Sequence, residues 1–426
     1  MLDLKMIRQN PEAVKSGIKK KGRDPKLIDN ILVLDKEYRE LLVNVEELKS
    51  LKNKASDEIA KSPKDQRQKL IDTMQDVTKK EKNLEEKMKK VKEELDAMMI
   101  ELPNPPLESV PEGKNENENK VIKTVGEKPS FDFKPLDHMA LGERLNLIDI
   151  ENASKTSGTR FYYLKNEAVL LEFALVQFVI GKLIKKGFSP IIPPVLVQEK
   201  AMFGTGFFPA DRNEIYHVNP RSETNPDGDD LFLVGTAEVP LCMLHYDSIL
   251  ANEKLPLRYA GFSTCFRREA GSYGKDTKGI LRVHQFDKIE MFSFCDPKKS
   301  EKEHELILSL EEEIMKELGF HYQVVLICGG DLGAPAAKKY DIEVWLPGQQ
   351  RYRELTSCSN CTDFQARRSN IRYKTAKGNE ILHTLNGTAC AIGRTLIAIL
   401  ENYQNKDGTV TVPEVLRSYV GKEKIN

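Results

Sequence analysis

Two long stretches near the start of the chain carry apolar residues at alternating spacings of three and four. They span residues 31–59 and 70–102, and the positions between the apolar residues are dominated by Lys, Glu and Asp. This spacing keeps one stripe of an α-helix facing a partner helix. Residues 62–65, Ser-Pro-Lys-Asp, are typical of a turn, and so short a turn makes the helices antiparallel. The sequence predicts a two-helix coiled-coil hairpin roughly 50 Å long, with Glu81 at one seam position.

The composition changes after residue 102. Prolines at 103, 105, 106 and 111 precede the polar run Glu-Gly-Lys-Asn-Glu-Asn-Glu-Asn at 112–119. Such a stretch contains several helix stops and almost nothing to bury. We therefore expect a linker over 103–120 that separates an N-terminal domain, 1–102, from a larger domain, 121–426.

The larger domain mixes helical and strand patterns. Amphipathic helices are predicted at about 161–186, 301–318 and 387–402, and strands at 191–192, 231–234, 288–294 and 322–327. The strands outnumber the helices and do not alternate regularly with them. This order favours an antiparallel sheet flanked by helices, in an α+β fold, over a doubly wound parallel sheet.

Charge and composition exclude several classes of protein. Lys and Arg together number 65, as do Asp and Glu, so the chain is not a globally basic nucleic-acid binder. The N-terminus lacks the apolar core of a signal peptide, and no stretch is apolar enough for a membrane helix. Seven scattered cysteines are not typical of a disulfide framework. Cys358 and Cys361 lack a second pair at ligand spacing, so we expect packing rather than a zinc or redox role. The prediction is a soluble cytoplasmic protein with no membrane partner.

Five segments of the second domain carry a resemblance to a known family. Residues 264–290 resemble motif 2 of the class II aminoacyl-tRNA synthetases in its seryl form, 386–394 resemble motif 3, and 186–197 resemble motif 1. The blocks 234–238 and 354–368 are similar to segments of the seryl enzymes. Over its whole length the chain resembles a bacterial-type seryl-tRNA synthetase. The resemblance implies a tRNA-binding domain with a helical arm at 1–102 and a class II catalytic domain at 121–426, with an antiparallel sheet flanked by helices.

The resemblance also implies the residues of an ATP site. Arg267 and Arg394 match the motif arginines of the family and are the predicted catalytic residues. An arginine suits this task because its planar fork donates hydrogen bonds in pairs and keeps its charge. Glu354 is the predicted ligand of a Mg²⁺ ion carried by ATP, and no zinc is expected. The full predicted ATP-binding set is Arg267, Arg268, Glu269, Val283, Phe286, Glu354, Leu355, Thr356, Ser357 and Arg394.

The same resemblance implies a pocket for L-serine and a set of partners. The implied partners are tRNA(Ser), with tRNA(Sec) as a further candidate, and a second copy of the chain in a homodimer. A small hydroxyl must be paired by the site if alanine or glycine is to be rejected. The residues alone leave open which side chain holds which group of serine. The predicted serine-binding set is Thr236, Ala237, Glu238, Arg267, Glu290 and Thr388.

Two other functions stay open at this point. The first is an amino acid ligase that charges a carrier protein; the hairpin speaks against it, because such relatives lack a tRNA arm. The second is a non-catalytic coiled-coil interaction protein. The intact set Arg267, Glu269, Glu354, Ser357 and Arg394 speaks against that reading, because a protein that lost catalysis would be expected to lose part of its ATP site.

Overall fold

The structure, a computed structural model, describes residues 1–61, 63–271 and 278–426 of the 426-residue chain. Ser62 of the predicted turn and residues 272–277 of the motif 2 segment lie outside the described residues. The contacts within the chain divide it into two compact units. One unit is Leu2–Leu102, and the other is Pro103–Asn426 together with Met1.

The first unit consists of four helices, and it contains the predicted hairpin. The two long helices have 36 and 38 residues, which corresponds to roughly 55 Å each at about 1.5 Å per residue. Ion pairs join Lys49 to Glu85 and Lys87 to Glu37, so residue numbers rise along one helix as they fall along the other. The predicted antiparallel coiled-coil hairpin is confirmed. The helices are α1 Leu4–Gln9, α2 Pro11–Lys20, α3 Lys26–Lys61 and α4 Lys64–Glu101.

Two carboxylates are buried in the otherwise apolar core of this unit, among its described residues, and each has a cationic partner. Glu81, at the seam position noted in the sequence, accepts a hydrogen bond from Lys52 at 2.8 Å. Asp35 is also buried and is paired with Arg8 at 2.9 Å and with Arg39 at 3.0 Å. A buried charge persists only when it is paired, because desolvation of a lone ion costs several kcal/mol. These pairs explain how an acidic side chain fits on the buried stripe.

The second unit is an α+β domain whose helices and strands are as follows. The helices are α5 His138–Arg144, α6 Glu151–Ser157, α7 Glu167–Lys185, α8 Glu199–Thr205, α9 Glu238–Met243, α10 Ser300–Glu317, α11 Phe364–Arg368, α12 Ile392–Asn402 and α13 Glu414–Val420. The strands are β1 Lys120–Val125, β2 Ile148–Asp149, β3 Tyr163–Leu164, β4 Ser189–Ile191, β5 Leu196–Gln198, β6 His217–Val218, β7 Leu231–Leu233, β8 Ile249–Leu250, β9 Leu257–Phe266, β10 Gln285–Cys295, β11 Tyr322–Leu326, β12 Lys338–Leu346, β13 Arg351–Asn360, β14 Arg372–Thr375, β15 Gly378–Ile381, β16 His383–Ala391, β17 Val410–Thr411 and β18 Lys424–Ile425.

An eight-stranded sheet forms the centre of this unit, in the order β1-β11-β12-β13-β16-β10-β9-β4. Every neighbouring pair is antiparallel except β4 and β9, which are parallel. Helices α7, α10 and α12 contribute most of their apolar side chains to the core that packs against the sheet. The predicted antiparallel sheet flanked by helices is confirmed. Long neighbouring strands with one covered face leave the other face free to carry polar side chains.

The structure corrects two of the predicted helices. Residues 387–391 belong to strand β16, and the helix begins only at Ile392. The segment pairs with β10, and Gly387 also pairs with β13, so this pairing within the sheet outweighs its helical spacing. The helix predicted from 161 begins at Glu167, after the short strand β3. The helix predicted at 301–318 is present as α10.

The stretch after residue 102 also differs from its prediction. Val110 is buried and packs with Val325, Ile327 and Leu332. The Asn104 side chain is buried and donates to the Cys361 carbonyl at 2.8 Å. The expectation that 103–120 has almost nothing to bury is therefore wrong at these positions. The prolines prevent a helix, but the side chains between them still pack on the second unit.

No helix among the described residues is both long enough and apolar enough to cross a membrane. All seven cysteines lie in the described part of the chain, and each is a buried free thiol.

Candidate active site

A cleft opens on the polar face of the central sheet. Its volume is about 640 Å³, including the solvent at its mouth. Strands β9, β10, β13 and β16 and the start of α12 bring together residues that are far apart in the chain. The cleft is lined by Arg267, Glu269, Ile280, Leu281, Arg282, Val283, Phe286, Lys288, Glu354, Leu355, Ser357, Thr388, Ala391, Gly393 and Arg394.

Arg267 lies just beyond the end of β9, and its side chain is exposed. Its backbone N–H donates to the His284 carbonyl at 3.0 Å, and its Nε donates to the Gly235 carbonyl at 3.2 Å. The guanidinium carbon is 5.3 Å from the centroid of the Phe286 ring. A cation over an aromatic face is attracted by the ring quadrupole. The guanidinium is thus oriented by Gly235 and Phe286 while its charge stays accessible from the cleft.

Glu269 and Arg282 form an ion pair at 2.5 Å across the same wall. Glu269 has a backbone φ of +51°, which is uncommon for a residue with a side chain. The neighbouring backbone is held by Glu214, whose carboxylate accepts from the N–H groups of Ala270 at 3.0 Å and Gly271 at 2.9 Å. These bonds hold the chain on the N-terminal side of residues 272–277 in a fixed course.

Arg394 and Glu354 form a second ion pair on the opposite wall. The Arg394 Nη1 lies 3.2 Å from Glu354 Oε2 and donates to the Glu354 carbonyl at 2.7 Å. Its Nε donates to the Leu281 carbonyl at 3.4 Å. Desolvation raises the pKa of Glu354, but the charges of Arg394 and Lys339 outweigh that effect and hold the pKa below its usual range. Glu354 is therefore an ionised carboxylate at neutral pH.

A second group of polar side chains is buried beneath this cleft, where β10, β16 and the start of α9 meet. The Thr236 hydroxyl donates to Glu290 Oε2 at 3.1 Å and accepts from the Glu238 backbone N–H at 3.2 Å. The Lys288 ammonium is paired with Glu290 and donates to Thr388 Oγ1 at 3.3 Å. All five residues are buried, with Glu238 the most accessible at 8 %. One network therefore joins Lys288 and Thr388, which line the cleft, to the Glu290 carboxylate and, through the Thr236 hydroxyl, to the backbone of Glu238.

We call the first of these two groups the open end of the cleft and the second its buried end. The open end comprises Arg267, Glu269, Phe286, Glu354 and Arg394. The buried end comprises Thr236, Glu238, Lys288, Glu290 and Thr388.

The two carboxylates of the buried end differ in their partners. Glu290 has the Lys288 ammonium beside it and so is already paired with a positive charge. The Glu238 side chain is bonded to the neutral amide of Gln365 at 2.7 Å. Burial, followed by the nearby Glu290 charge, raises the pKa of Glu238 to about 7. Glu238 is therefore the carboxylate that gains most from a cationic ligand.

Not every predicted site side chain lines the cleft. Thr236, Glu238 and Glu290 lie in the buried group beneath it. Thr356 is buried on the opposite face of β13, where its hydroxyl donates to Glu311 at 3.3 Å. Successive side chains of a strand point to opposite faces, which separates Thr356 from Ser357. Arg268 is exposed and does not line the cleft, although its backbone N–H donates to the Glu214 carbonyl at 2.8 Å. Ala237 is fully buried and is packed with Leu241 and Phe292.

The predicted set missed Lys288 and Arg282, both of which line the cleft. A signal for Lys288 is present in the sequence, because residues 286, 288 and 290 share one face of a strand by their spacing of two. Arg282 lies within the motif 2 segment, but its partner Glu269 is 13 positions away in sequence. No spacing rule links these two positions.

The chain is similar to known proteins in both of its domains and over its full length. Residues 1–106 match the seryl-tRNA synthetase N-terminal domain, and residues 216–403 match the tRNA synthetase class II core domain (G, H, P, S and T). A serine-tRNA ligase of Thermodesulfovibrio yellowstonii is 44 % identical over 432 residues, which cover 100 % of both chains. A serine-tRNA ligase of Dictyoglomus thermophilum is 47 % identical over 436 residues, with 100 % of this chain and 99 % of the relative covered.

Solved structures give the same result. A seryl-tRNA synthetase from Pyrococcus horikoshii, complexed with ATP, matches with a TM-score of 0.92 and 43 % identity, over 100 % of this chain and 99 % of that one. A cytoplasmic serine-tRNA ligase from Naegleria fowleri, in complex with AMP, matches with a TM-score of 0.89 and 35 % identity, over 100 % and 99 % of the two chains.

Proposed function

The chain belongs to the seryl-tRNA synthetase family, and from that premise we propose that it ligates L-serine to tRNA in two steps. In the first step the serine carboxylate attacks the α-phosphorus of ATP, which forms seryl-adenylate and releases pyrophosphate. In the second step a terminal ribose hydroxyl of the tRNA takes the seryl group and AMP leaves. One observation carries the proposal: a single cleft brings accessible arginines together with Lys288 and Thr388, which connect it to the buried Glu290 carboxylate.

The open end is the proposed ATP site. Arg267 holds the α-phosphate together with the serine carboxylate, since both bring negative charge to the point of attack. Arg394 holds the far end of the triphosphate. The Phe286 ring offers a face for the adenine, and Glu269 accepts from the adenine amino group. Val283, Leu355 and Ser357 complete the wall of this site, while Arg268 and Thr356 contribute backbone atoms only.

The residues present also fit a Mg²⁺ ion that accompanies ATP. A hard cation takes oxygen ligands, and the cleft offers the ionised Glu354 carboxylate and the Ser357 hydroxyl on one strand. When bound, the ion would neutralise phosphate charge in the activation step. Among the residues that the structure describes, no three His, Cys, Asp or Glu side chains converge. Glu354 would therefore share the ion with the phosphates of ATP.

The buried end is the proposed serine pocket, and its charges suggest which group each residue holds. Glu238 has a neutral side-chain partner, so it takes the ammonium of serine. Glu290 is already paired with Lys288, so it accepts from the serine hydroxyl, and Thr388 provides a second polar partner. Alanine lacks this hydroxyl and would leave buried polar groups unpaired, at a cost of about 1 to 3 kcal/mol. The pocket therefore selects serine over alanine and glycine.

We also propose that the enzyme is a homodimer. Large apolar side chains on α7 and just after β4 are exposed in the single chain, including Phe173 at 58 % and Ile192 at 83 %. Leu170 and Ile184 on the same helix are exposed as well. Clustered apolar exposure of this kind is typical of an interface between proteins. A second copy of the chain would cover these side chains.

The N-terminal unit is the proposed tRNA-binding domain, with 1–102 as its extent and 121–426 as the catalytic domain. The hairpin reads tRNA(Ser) by shape and backbone contacts, because the deep groove of an RNA helix hides its bases. The same mode of recognition extends to tRNA(Sec) if its shape is similar.

The protein is proposed to act in the cytoplasm. The match of residues 1–106 to the seryl N-terminal domain argues against a carrier-protein ligase and against a non-catalytic protein.

Two assays test the two steps separately. Serine-dependent exchange of pyrophosphate into ATP reports activation alone, and charging of tRNA(Ser) reports both steps. A variant that lacks residues 27–102 should keep the exchange and lose the charging. Loss of exchange by the deletion variant would contradict the division of labour, and unchanged charging would contradict the role of the hairpin.

A further inference from the structure

A glutamine outside the predicted site lies directly behind the serine pocket. Gln365 is on α11 and its exposed fraction is 0 %. Its Nε2 donates to Glu238 Oε1 at 2.7 Å and to the Thr205 carbonyl at 3.1 Å. Its Oε1 accepts from the Thr384 hydroxyl at 2.7 Å. Both ends of the amide are therefore bonded, in a place that water does not reach.

These partners fix the orientation of the amide. A carbonyl oxygen such as that of Thr205 can only accept, so the NH₂ group must face it. The Thr384 hydroxyl then donates to the remaining oxygen. Thr384 itself is held by its backbone, since its N–H donates to the Thr362 carbonyl at 2.9 Å and its carbonyl accepts from Cys361 at 3.0 Å. The amide hydrogen that points at Glu238 is thus set by three separate segments of the fold.

We propose that Gln365 is a positioning residue that sets the affinity for serine: its amide holds the Glu238 carboxylate in place and in its charged form for the substrate ammonium. The inference rests on the proposed function of the cleft and extends it to a residue that does not touch substrate. Thr384 supports it by fixing the far side of the amide. The serine pocket is thus supported by α11 and by Thr384, just before the motif 3 segment, as well as by the motifs themselves.

The charges around Glu238 explain why this hydrogen bond matters. Glu290 and Lys288 face Glu238 from β10, Arg267 faces it from the end of β9, and Cys242 lies on its own helix. Burial and Glu290 disfavour the charged form, whereas the Gln365 hydrogen bond favours it, so their balance sets the pKa of Glu238. Removal of the amide donor would raise the pKa of Glu238 and free its carboxylate to turn.

The test is Gln365→Met, a substitution of similar length without polar atoms. In pyrophosphate exchange, the KM for serine should rise about 10- to 100-fold, as expected for loss of a hydrogen bond to a charged group. The KM for ATP should change less than about twofold. The acid-side midpoint of kcat/KM for serine should move to higher pH, because Glu238 would then hold its proton more strongly.

Gln404→Met is the matched control. Gln404 is also buried, and its amide donates to the carbonyls of Leu136 and Glu401 and accepts from the Leu136 N–H, all at 2.8 to 2.9 Å. It does not line the cleft. This variant should lose stability to a similar degree, measured by thermal unfolding, while its KM for serine and its acid-side midpoint stay at the wild-type values.

A second pair of variants keeps the test decisive if Gln365→Met does not fold. Thr384→Val removes the hydroxyl that holds the amide oxygen and should raise the KM for serine by about 3- to 10-fold. Thr384→Ser keeps the hydroxyl and should restore a value near that of the wild type.

The outcomes separate this inference from the function on which it rests. A wild-type protein without serine-dependent exchange would overturn the proposed function and the inference with it. An active wild type, combined with variants whose KM for serine and acid midpoint are unchanged, would overturn the inference alone. Equal increases in the KM values for serine and ATP would also overturn it, because they would show a general structural role.

Discussion

At the open end of the cleft the charged groups reach solvent, whereas at the buried end they are enclosed by the sheet and by α9. Arg267 is exposed and Arg394 is half-buried, while Glu290 and Lys288 form their ion pair almost out of reach of water. Both ends carry acidic and basic side chains in similar numbers. They differ in how completely protein atoms bury each charged side chain.

This difference indicates two ways to handle a charged substrate. Exposed arginines bind a triphosphate through net charge, and their contacts are weakened by salt. Buried carboxylates act through a fixed geometry, because each unpaired group there costs free energy. We therefore expect the open end to govern the rate of activation and the buried end to govern the choice of amino acid. Substitutions at the two ends should therefore change different kinetic constants.

Arg267→Ala should lower kcat for serine-dependent pyrophosphate exchange by roughly 1,000-fold, since removal of one preorganised donor to a developing charge costs about 100- to 1,000-fold. Arg351→Ala is the control, because Arg351 is exposed on the same sheet but does not line the cleft. Its exchange rate should match the wild type. An Arg267→Ala variant that differs only in its KM for serine would break the contrast between the two ends.

Glu238→Gln should raise the KM for serine by roughly 100-fold and leave the KM for ATP nearly unchanged, because loss of a buried charge partner costs about 2 to 5 kcal/mol. The substitution keeps the shape of the side chain and removes its charge. Exchange assays with each substrate varied in turn measure both constants. A larger increase in the KM for ATP than in the KM for serine would show that Glu238 acts at the open end of the cleft and not at the buried end.

The pH dependence of serine use should show the same division. If serine binds the ionised form of Glu238, as we propose, kcat/KM for serine should fall as the pH drops through 7, because the pKa of Glu238 is raised to about 7. The fall approaches tenfold for each pH unit below that value. The Glu238→Gln variant should lack this acid limb. The KM for ATP should stay level over the same range, because Glu354 remains ionised there.

Thr388→Ser should have the smallest effect, a change of less than about fivefold in the KM for serine. The hydroxyl that accepts from Lys288 is kept, and one methyl group is lost, worth about 0.8 kcal/mol if it is fully buried. Thr388→Val keeps the volume and removes the hydroxyl, so it should be the more harmful of the two. The reverse order would show that the pocket responds to volume rather than to polarity.

Much of the open end could be predicted from the sequence. Arg267, Glu269, Glu354 and Arg394 lie in segments that resemble family motifs, and the structure brings all four to one cleft. The coiled-coil hairpin followed from its seam spacing, because that pattern is local. The charged residue Glu81 at an apolar seam position is explained by its ion pair with Lys52 of the other helix.

The predicted serine-binding set contains four of the five residues of the buried end, but the side chains behind them were less accessible to sequence reasoning. Gln365 and Glu238 are 127 positions apart, and Gln365 and Thr384 are 19 apart on different elements. Only the sheet topology brings them together, so no periodicity marks them. The misplaced start of α12 has a similar cause, because β16 is stabilised by neighbours that lie far away in sequence.

The central claim is that this cleft activates serine with ATP, and serine-dependent exchange of pyrophosphate into ATP tests it most directly. Alanine, threonine and glycine serve as competing amino acids, and the Arg267→Ala variant is assayed beside the wild type. We expect strong exchange with serine, little exchange with the other three amino acids, and loss of exchange in the Arg267→Ala variant. No exchange with serine, or equal exchange with alanine, would contradict it.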